Sequence, residues 1–203
     1  MKFFFKIIVI LLFSTSIISQ NKSGNNEIDS NSSNNKYIVG DFAEGGVIFF
    51  VDKSGEHGLV IAKNDQSLGL RWNENRLPTK DGFLSSKNNT SKSIFNSKNR
   101  KDRRNSKTNA KRICAKLKIK EENKTYKKWY LPSKDELEII YLNKTAINAA
   151  SKAKGGNPLN INSFYWSSTE YDEESAWAQN FLDGKQQFSF KGNSYNVRAI
   201  RAF

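Results

Sequence analysis

Cysteine and histidine are almost absent from this chain of 203 residues, which contains one of each. With Cys114 as the only thiol, no intrachain disulfide can form, and motifs that need a cysteine pair are excluded. Cys114 lies in an apolar helical pattern, which favours a buried, unreactive thiol. A catalytic His57 would need a nucleophile or carboxylate partner that the sequence does not place, so a structural role is favoured. We therefore expect no enzyme activity, no cofactor and no tightly bound metal.

Apolar runs long enough to cross a membrane are also missing. The run 7–13 is too short to span a bilayer. It follows Lys2 and Lys6 and precedes small and polar residues up to Ser19, an order typical of a secretory signal peptide. We expect residues 1–19 to be removed, leaving a secreted, periplasmic or cell-surface protein without a transmembrane segment. A retained N-terminal anchor is the alternative.

Acidic residues are scarce between Lys80 and Lys128, where seventeen Lys and Arg residues stand against four Asp and Glu. That excess equals the formal net charge of +13, so the rest of the chain is balanced. Attraction to a polyanion grows with charge density and falls with salt. For an exported protein the partner would be an acidic polysaccharide, lipopolysaccharide or extracellular DNA rather than genomic nucleic acid. The alternative is a solvated loop of biased composition. The polyanion-binding candidates are Lys98, Arg100, Lys101, Arg103 and Arg104.

Composition also divides the chain into segments. Residues 20–38 are mostly Asn and Ser with few apolar side chains, which predicts a flexible linker. Residues 39–203 are expected to form one domain. Within it, the polar and basic segment at about 73–107 predicts a long surface loop.

Two apolar runs, 47–51 and 58–62, flank a glycine-containing turn and predict a β-hairpin. Residues 63–72 and 149–162 are expected to be loops. The residues from Thr108 have the apolar spacing of a first helix. A second helix is expected from Lys134 to about Asn143, because Ser133 and Glu136 have the spacing of a capping box.

The segment 163–203 places aromatic residues in short runs separated by Asp183-Gly184 and Gly192-Asn193, which predicts antiparallel strands joined by tight turns. Arg198 is expected to form a structural ion pair. Aromatic rings beside polar groups suit sugar or protein recognition. The alternatives are that Trp166 and Trp177 belong to the core, and that the acidic residues form a solvated turn rather than a calcium site. The ligand-binding candidates are Glu170, Tyr171, Asp172, Glu173, Trp177, Asn180 and Asp183.

Six motifs follow one another in a recognisable order: GGVIFFVD, HGLVIA, WYLPSKDEL, YWSSTEY, AWxxxFxDG and VRAIRAF. In this order they resemble the Lcl C-terminal domain family, also called DUF1566, over about residues 40–203. That family occurs on secreted bacterial proteins, including collagen-like adhesins. It is similar to formylglycine-generating-enzyme-type domains and to the variable proteins of diversity-generating retroelements.

The resemblance implies an α+β, C-type lectin-like fold with a twisted antiparallel sheet and two flanking helices. The calcium and sugar motif of animal lectins is absent here, so their calcium-dependent binding is not carried over. The function expected from the resemblance is an exported, non-catalytic ligand-binding or adhesion domain that recognises an extracellular glycan or a surface protein. The alternative is a structural envelope or matrix protein that engages partner proteins.

Overall fold

The computed structural model of the chain describes residues 37–72, 79, 82–98 and 108–203, and gives only the backbone of 93–98. Four helices and eleven strands in this part of the chain confirm the α+β class. The strands are β1 Phe42–Ala43, β2 Gly46–Val51, β3 Gly58–Ile61, β4 Ser67–Leu70, β5 Ile119–Glu121, β6 Lys124–Tyr126, β7 Phe164–Glu170, β8 Ser175–Asn180, β9 Gln186–Phe190, β10 Tyr195–Val197 and β11 Ile200–Ala202. The helices are α1 Ser86–Lys98, α2 Ala110–Lys116, α3 Lys134–Leu142 and α4 Lys144–Ala153.

The predicted hairpin is the centre of a four-stranded sheet with the order β1-β2-β3-β11. Its strands β2 and β3 are antiparallel, and Val47 lies opposite Ile61. The last strand, β11, pairs antiparallel with β3 and brings the C-terminal residues to the hairpin. Of the predicted C-terminal strands, only this one joins the hairpin sheet.

The other C-terminal strands belong to a five-stranded sheet with the order β4-β10-β7-β8-β9. The strand pairs β7 with β8 and β8 with β9 are antiparallel, as predicted, but β10 runs parallel to β7. The predicted turn between β8 and β9 contains Gly184 at φ +79. A Cβ at this position would lie 2.4 Å from the Tyr141 ring, so glycine is needed for both conformation and space.

Two hydrophobic clusters lie on opposite sides of the hairpin because neighbouring strand residues point to opposite faces. Ile48 and Val60 belong to the cluster that contains Trp72, Trp166 and residues of α2. Val47 and Phe49 belong to the cluster that α3 and α4 cover. The sheets therefore have helices packed against both faces.

The capping box predicted before α3 is present. The Glu136 N–H donates to the Ser133 hydroxyl at 3.2 Å, and the Ser133 N–H donates to the Glu136 carboxylate at 2.7 Å. These bonds satisfy backbone groups that the helix start would otherwise leave unpaired. The helical pattern after Thr108 is also confirmed, since α2 begins after the N-cap residue Asn109.

The prediction of one loop over 73–107 was wrong for 86–98, which form α1. This helix buries the polar residues Ser86, Asn89 and Thr90, so it has no apolar stripe for a sequence reading to detect. The Thr90 hydroxyl accepts a hydrogen bond from the backbone N–H of Leu131 at 3.2 Å, which gives one buried polar group a partner.

Two other predicted loops contain regular structure. Residues 67–70 form β4, which pairs with β10. The loop expected over 149–162 begins only after α4 ends at Ala153, because alanines favour the helix and Gly155, at φ +67, ends it. The expectation of two flanking helices is therefore corrected to four helices among the residues that the structure describes.

Candidate ligand-binding face

The register of β8 and β9 creates an exposed aromatic surface. Trp177 lies opposite Phe188, and Ser175 lies opposite Phe190. Ala176 and the other even-numbered residues of β8 point the opposite way, and Ala176 is buried in the core. Trp177 is half-buried, whereas Phe188 and Phe190 are 55% and 58% exposed.

Tyr171 completes this surface from the turn after β7. Its ring is 51% exposed and stacks on Phe188 with 4.5 Å between centroids and 10° between planes. The Trp177 ring stands edge-on to Tyr171 at 5.5 Å. We call Tyr171, Trp177, Phe188 and Phe190 the aromatic face. Adjacent exposed apolar rings on a soluble protein are typical of an interaction surface.

The start of α3 sets one border of the aromatic face. Lys134, the first residue of this helix, places its Nζ 3.8 Å from the centroid of the Trp177 ring. This distance is within the range of a cation–π contact. An ammonium group therefore lies beside the rings.

A row of amide side chains forms the polar part of this border. Gln179 is buried and donates to the Glu138 carboxylate at 2.5 Å, while Gln186 donates to the Lys134 carbonyl at 2.9 Å. Gln186 also donates to the Gln179 amide oxygen at 3.2 Å. The helix α3 packs over these amide side chains. Because α3 begins at Lys134, it does not extend over the aromatic face, which remains open.

The sequence candidates at the β7–β8 turn have different environments. Glu170 is buried and forms a short ion pair with Lys191, so its carboxylate lies away from the exposed surface. The Lys191 ammonium also donates to the carbonyl oxygens of Asp172 at 2.8 Å and Glu173 at 2.7 Å. Tyr171, Asp172 and Glu173 are exposed, as expected.

Asp172 stabilises its own turn. Its carboxylate accepts the backbone N–H groups of Glu174 at 2.8 Å and Ser175 at 2.6 Å. These hydrogen bonds lower the pKa of Asp172, and the bond from Glu174 has the larger effect. The carboxylate is thereby engaged in holding the turn that carries Tyr171.

Asn180 and Asp183 lie at the other end of β8. The Asn180 side chain accepts the Leu182 N–H at 2.9 Å, and the Asp183 carboxylate accepts the Lys185 N–H at 3.0 Å. A strand rises about 3.3 Å per residue, so the length of β8, about 16 Å, separates them from Tyr171. The seven sequence candidates therefore do not form one cluster.

The other sequence candidates are placed as follows. Trp166 is fully buried, as the core alternative expected, whereas Trp177 is only half-buried. Cys114 is fully buried, as expected, and burial raises the pKa of its thiol. His57 is exposed, with its Nδ1 3.7 Å from the Asp52 carboxylate.

The polyanion-binding candidates cannot be placed in the same way. Lys98 is the last residue of α1, and its side chain is outside the described part of the structure. Arg100, Lys101, Arg103 and Arg104 also lie outside the described residues.

Three residues of this surface were missed by the sequence reading, namely Lys134, Phe188 and Phe190. The signal for the two phenylalanines was the alternation in the QQFSF run of β9, which places both on one face. The position of Lys134 over Trp177 depends on how α3 packs against β8, which the sequence does not specify.

Within the described ranges, no three His, Cys, Asp or Glu side chains are grouped so that they could hold a metal ion. None of the helices in the described part of the chain has the length and apolar character needed to cross a membrane.

Comparison with known families places most of the chain in a described domain family. The family model described as the Lcl C-terminal domain matches residues 62–201, which is more than half of the chain. The match covers all four helices and the five-stranded sheet, and begins later than the residue 40 expected from the motifs. A search of curated proteins found no match.

Proposed function

Since the chain belongs to the Lcl C-terminal domain family, we propose that it is an exported, non-catalytic binding module that uses the aromatic face to recognise a glycan or a protein outside the cell. The observation that carries this proposal is the exposure of three neighbouring rings, Tyr171, Phe188 and Phe190, beside the half-buried Trp177. Leaving these rings in water has a free-energy cost that contact with a partner would relieve.

The chemistry of the face suits a sugar polymer or an extended protein segment. Ring faces cover the apolar C–H surface of a sugar, while the Lys134 ammonium supplies a hydrogen-bonding group at the border. We propose a C-type lectin-like arrangement of the four-stranded and five-stranded sheets for this fold, with binding that does not depend on calcium. The signal peptide predicted from the sequence at 1–19 supports a secreted, periplasmic or cell-surface location.

Replacing Tyr171 by serine should weaken binding at least about tenfold, equivalent to about 1.4 kcal/mol. The substitution removes the ring that stacks on Phe188 and stands against Trp177. Arrays of immobilised neutral and acidic oligosaccharides, followed by titration of any retained sugar, provide the measurement. Leu142→Ser is the matched control, because Leu142 is 69% exposed at the end of α3, outside the aromatic face.

Tryptophan fluorescence gives a second readout of the same binding event. The chain has four tryptophans, and Trp72, Trp129 and Trp166 are buried. A ligand on the aromatic face should therefore change mainly the emission of Trp177, and Trp177→Phe should abolish that change. Binding that survives Tyr171→Ser unchanged, or that leaves Trp177 emission unaffected, would refute the assignment of the face.

The structural alternative is an envelope or matrix protein that engages partner proteins. It predicts that no oligosaccharide is retained and that a surface protein is captured through the same residues. Cross-linking from a photoreactive residue at Tyr171 on intact cells, compared with one at Leu142, separates these outcomes.

A further inference from the structure

The strand β9 is an open edge of the five-stranded sheet. In the order β4-β10-β7-β8-β9, it is bonded only to β8 among the strands that the structure describes. It is five residues long, compared with four for β4 at the opposite edge. An edge strand presents unpaired N–H and C=O groups that another strand can complete.

The hydrogen bonds at the two ends of β9 show which backbone groups face outward. Asn180 N–H donates to the Lys185 carbonyl at 2.9 Å, and Lys191 N–H donates to the Glu174 carbonyl at 2.8 Å. Along an antiparallel strand, every second residue bonds to the neighbouring strand. The backbone N–H and C=O groups of the odd-numbered residues of β9 therefore point towards β8. The N–H and C=O groups of Gln186 and Phe188, and the N–H of Phe190, therefore face the open edge.

The sequence of β9 does not protect this edge. Natural edge strands are usually guarded by charged side chains, proline or a bulge. The QQFSF sequence of β9 contains no charged residue and no proline, and its register with β8 is unbroken. Phe188 and Phe190 add exposed apolar surface to the same strand.

We propose that β9 pairs antiparallel with β9 of a second copy of this chain, about a two-fold axis that passes beside Phe188. In this register Phe188 lies opposite Phe188 of the second copy, and Gln186 lies opposite Phe190. The Phe188 N–H and C=O groups then bond to those of Phe188 across the axis, each Phe190 N–H bonds to the Gln186 carbonyl of the second copy, and the two sheets join into one. The two-fold axis keeps each aromatic face on the same side, so the proposed ligand surface is doubled and stays open.

Charge complementarity favours a second copy as the occupant of this edge. Lys185, exposed just before β9, comes opposite Lys191 of the second copy, whose own ammonium is already paired with Glu170. In the second copy, the exposed Glu174 accepts the backbone N–H of Lys191 and lies one strand further from the axis. It is therefore two strand spacings, about 10 Å, from Lys185 of the first copy. Their side chains lie on the same face and can meet, twice in each dimer.

Sedimentation of the purified chain without ligand tests the association. We expect a concentration-dependent dimer, and at least about tenfold weaker association for Phe188→Lys, which places two like charges beside the axis. Leu68→Lys is the matched control, because Leu68 is 75% exposed on the opposite edge strand β4. A chain that stays monomeric at high concentration, or a dimer equally sensitive to both substitutions, would overturn the proposal.

Disulfide cross-linking tests the register. Paired residues on antiparallel strands have Cα atoms about 5.5 Å apart, within disulfide reach, so Phe188→Cys should form a covalent dimer under mild oxidation. Gln186→Cys should not, because the two Gln186 residues would be offset by four residues, about 13 Å, along the paired strands. Cys114 is buried and does not compete. Equal cross-linking of the two variants, or cross-linking of Gln186→Cys alone, would refute this pairing.

The dimer and the proposed binding function can fail separately. Tyr171 is outside β9, so Tyr171→Ser should lose sugar or protein binding and keep the dimer. A monomeric chain that still binds through Tyr171 would refute the strand pairing alone.

Discussion

Replacing Asp65 by alanine should lower the free energy of unfolding by about 3–5 kcal/mol, the usual loss when one partner of a buried ion pair is removed. Asp65 accepts a 2.6 Å hydrogen bond from Nε of Arg198, and the two side chains are 6% and 2% exposed. The guanidinium keeps its charge at any ordinary pH. Without the carboxylate, that charge remains buried and loses its counter-ion.

The rest of the network increases the effect of this substitution. The Tyr165 hydroxyl donates to Asp65 at 2.9 Å and accepts the Asn160 N–H at 2.8 Å. Burial, followed by the nearby Asp65 charge, raises the pKa of Tyr165 to about 12, so this hydroxyl remains a donor at neutral pH. Arg198 also donates to the Asn157 carbonyl at 3.0 Å. The ion pair therefore holds the loop after α4 against the join between β10 and β11.

Denaturant unfolding of the Asp65→Ala, Arg198→Met and double variants measures this effect. The double variant should recover part of the loss, because it removes the unpaired charge together with its partner. Glu44→Ala is the control, since Glu44 pairs with Arg201 at 3.0 Å at a site that is 20% and 14% exposed. Exposed pairs contribute about 0–1 kcal/mol, and the loss of this partly exposed pair should cost less than the loss of the Asp65 pair. A loss for Asp65→Ala no greater than that for Glu44→Ala would contradict the prediction.

Local signals in the sequence predicted the parts of the fold that local physics determines. The Ser133 and Glu136 spacing gave the start of α3, and the glycine-containing turn between two apolar runs gave the β2–β3 hairpin. The ion pair of Arg198 was expected as well, although its partner was not. For the capping box and the hairpin, the pattern and the stabilising contact lie close together in the chain, whereas Asp65 is 133 residues away from Arg198.

Elements that depend on distant partners were missed. The helix α1 buries Asn89 and Thr90, and such polar positions read as loop unless their partners are known. The strand β4 exists because β10, more than a hundred residues later, pairs with it. The same limit applies to the aromatic face, since the α3 contact that brings Lys134 over Trp177 is not visible in the sequence.

Replacing Lys111 is the second change that should have a large effect, and it should increase stability. It is fully buried in α2, and its Nζ lies 3.6 Å from the centroid of the Trp72 ring. Nζ of Lys191 lies 4.9 Å from the same centroid, on a side chain that is ion-paired with Glu170. Within the described residues, Nζ of Lys111 has no hydrogen-bond partner. Two amines therefore share one indole ring and one nearby carboxylate.

Burial lowers the pKa of Lys111 well below its usual 10.5; the Glu170 charge opposes this shift, and the Lys191 charge adds to it. The unfolded chain then binds more protons than the folded one between the lowered pKa and 10.5. Stability should therefore rise with pH across that window. At neutral pH the folded state is therefore destabilised, because Lys111 must either bury its charge or release its proton.

Replacing Lys111 by methionine should accordingly raise the free energy of unfolding at pH 7 by about 1–3 kcal/mol, since a buried ionisable group is exchanged for an apolar one of similar length. The variant should also lose the rise in stability towards pH 10. Lys116→Met, at an exposed position of the same helix, should change stability by less than about 0.5 kcal/mol. Thermal and denaturant unfolding at neutral and alkaline pH compare the three proteins. A Lys111→Met variant less stable than the native chain at both pH values would show that the contact with Trp72 outweighs the cost of burial.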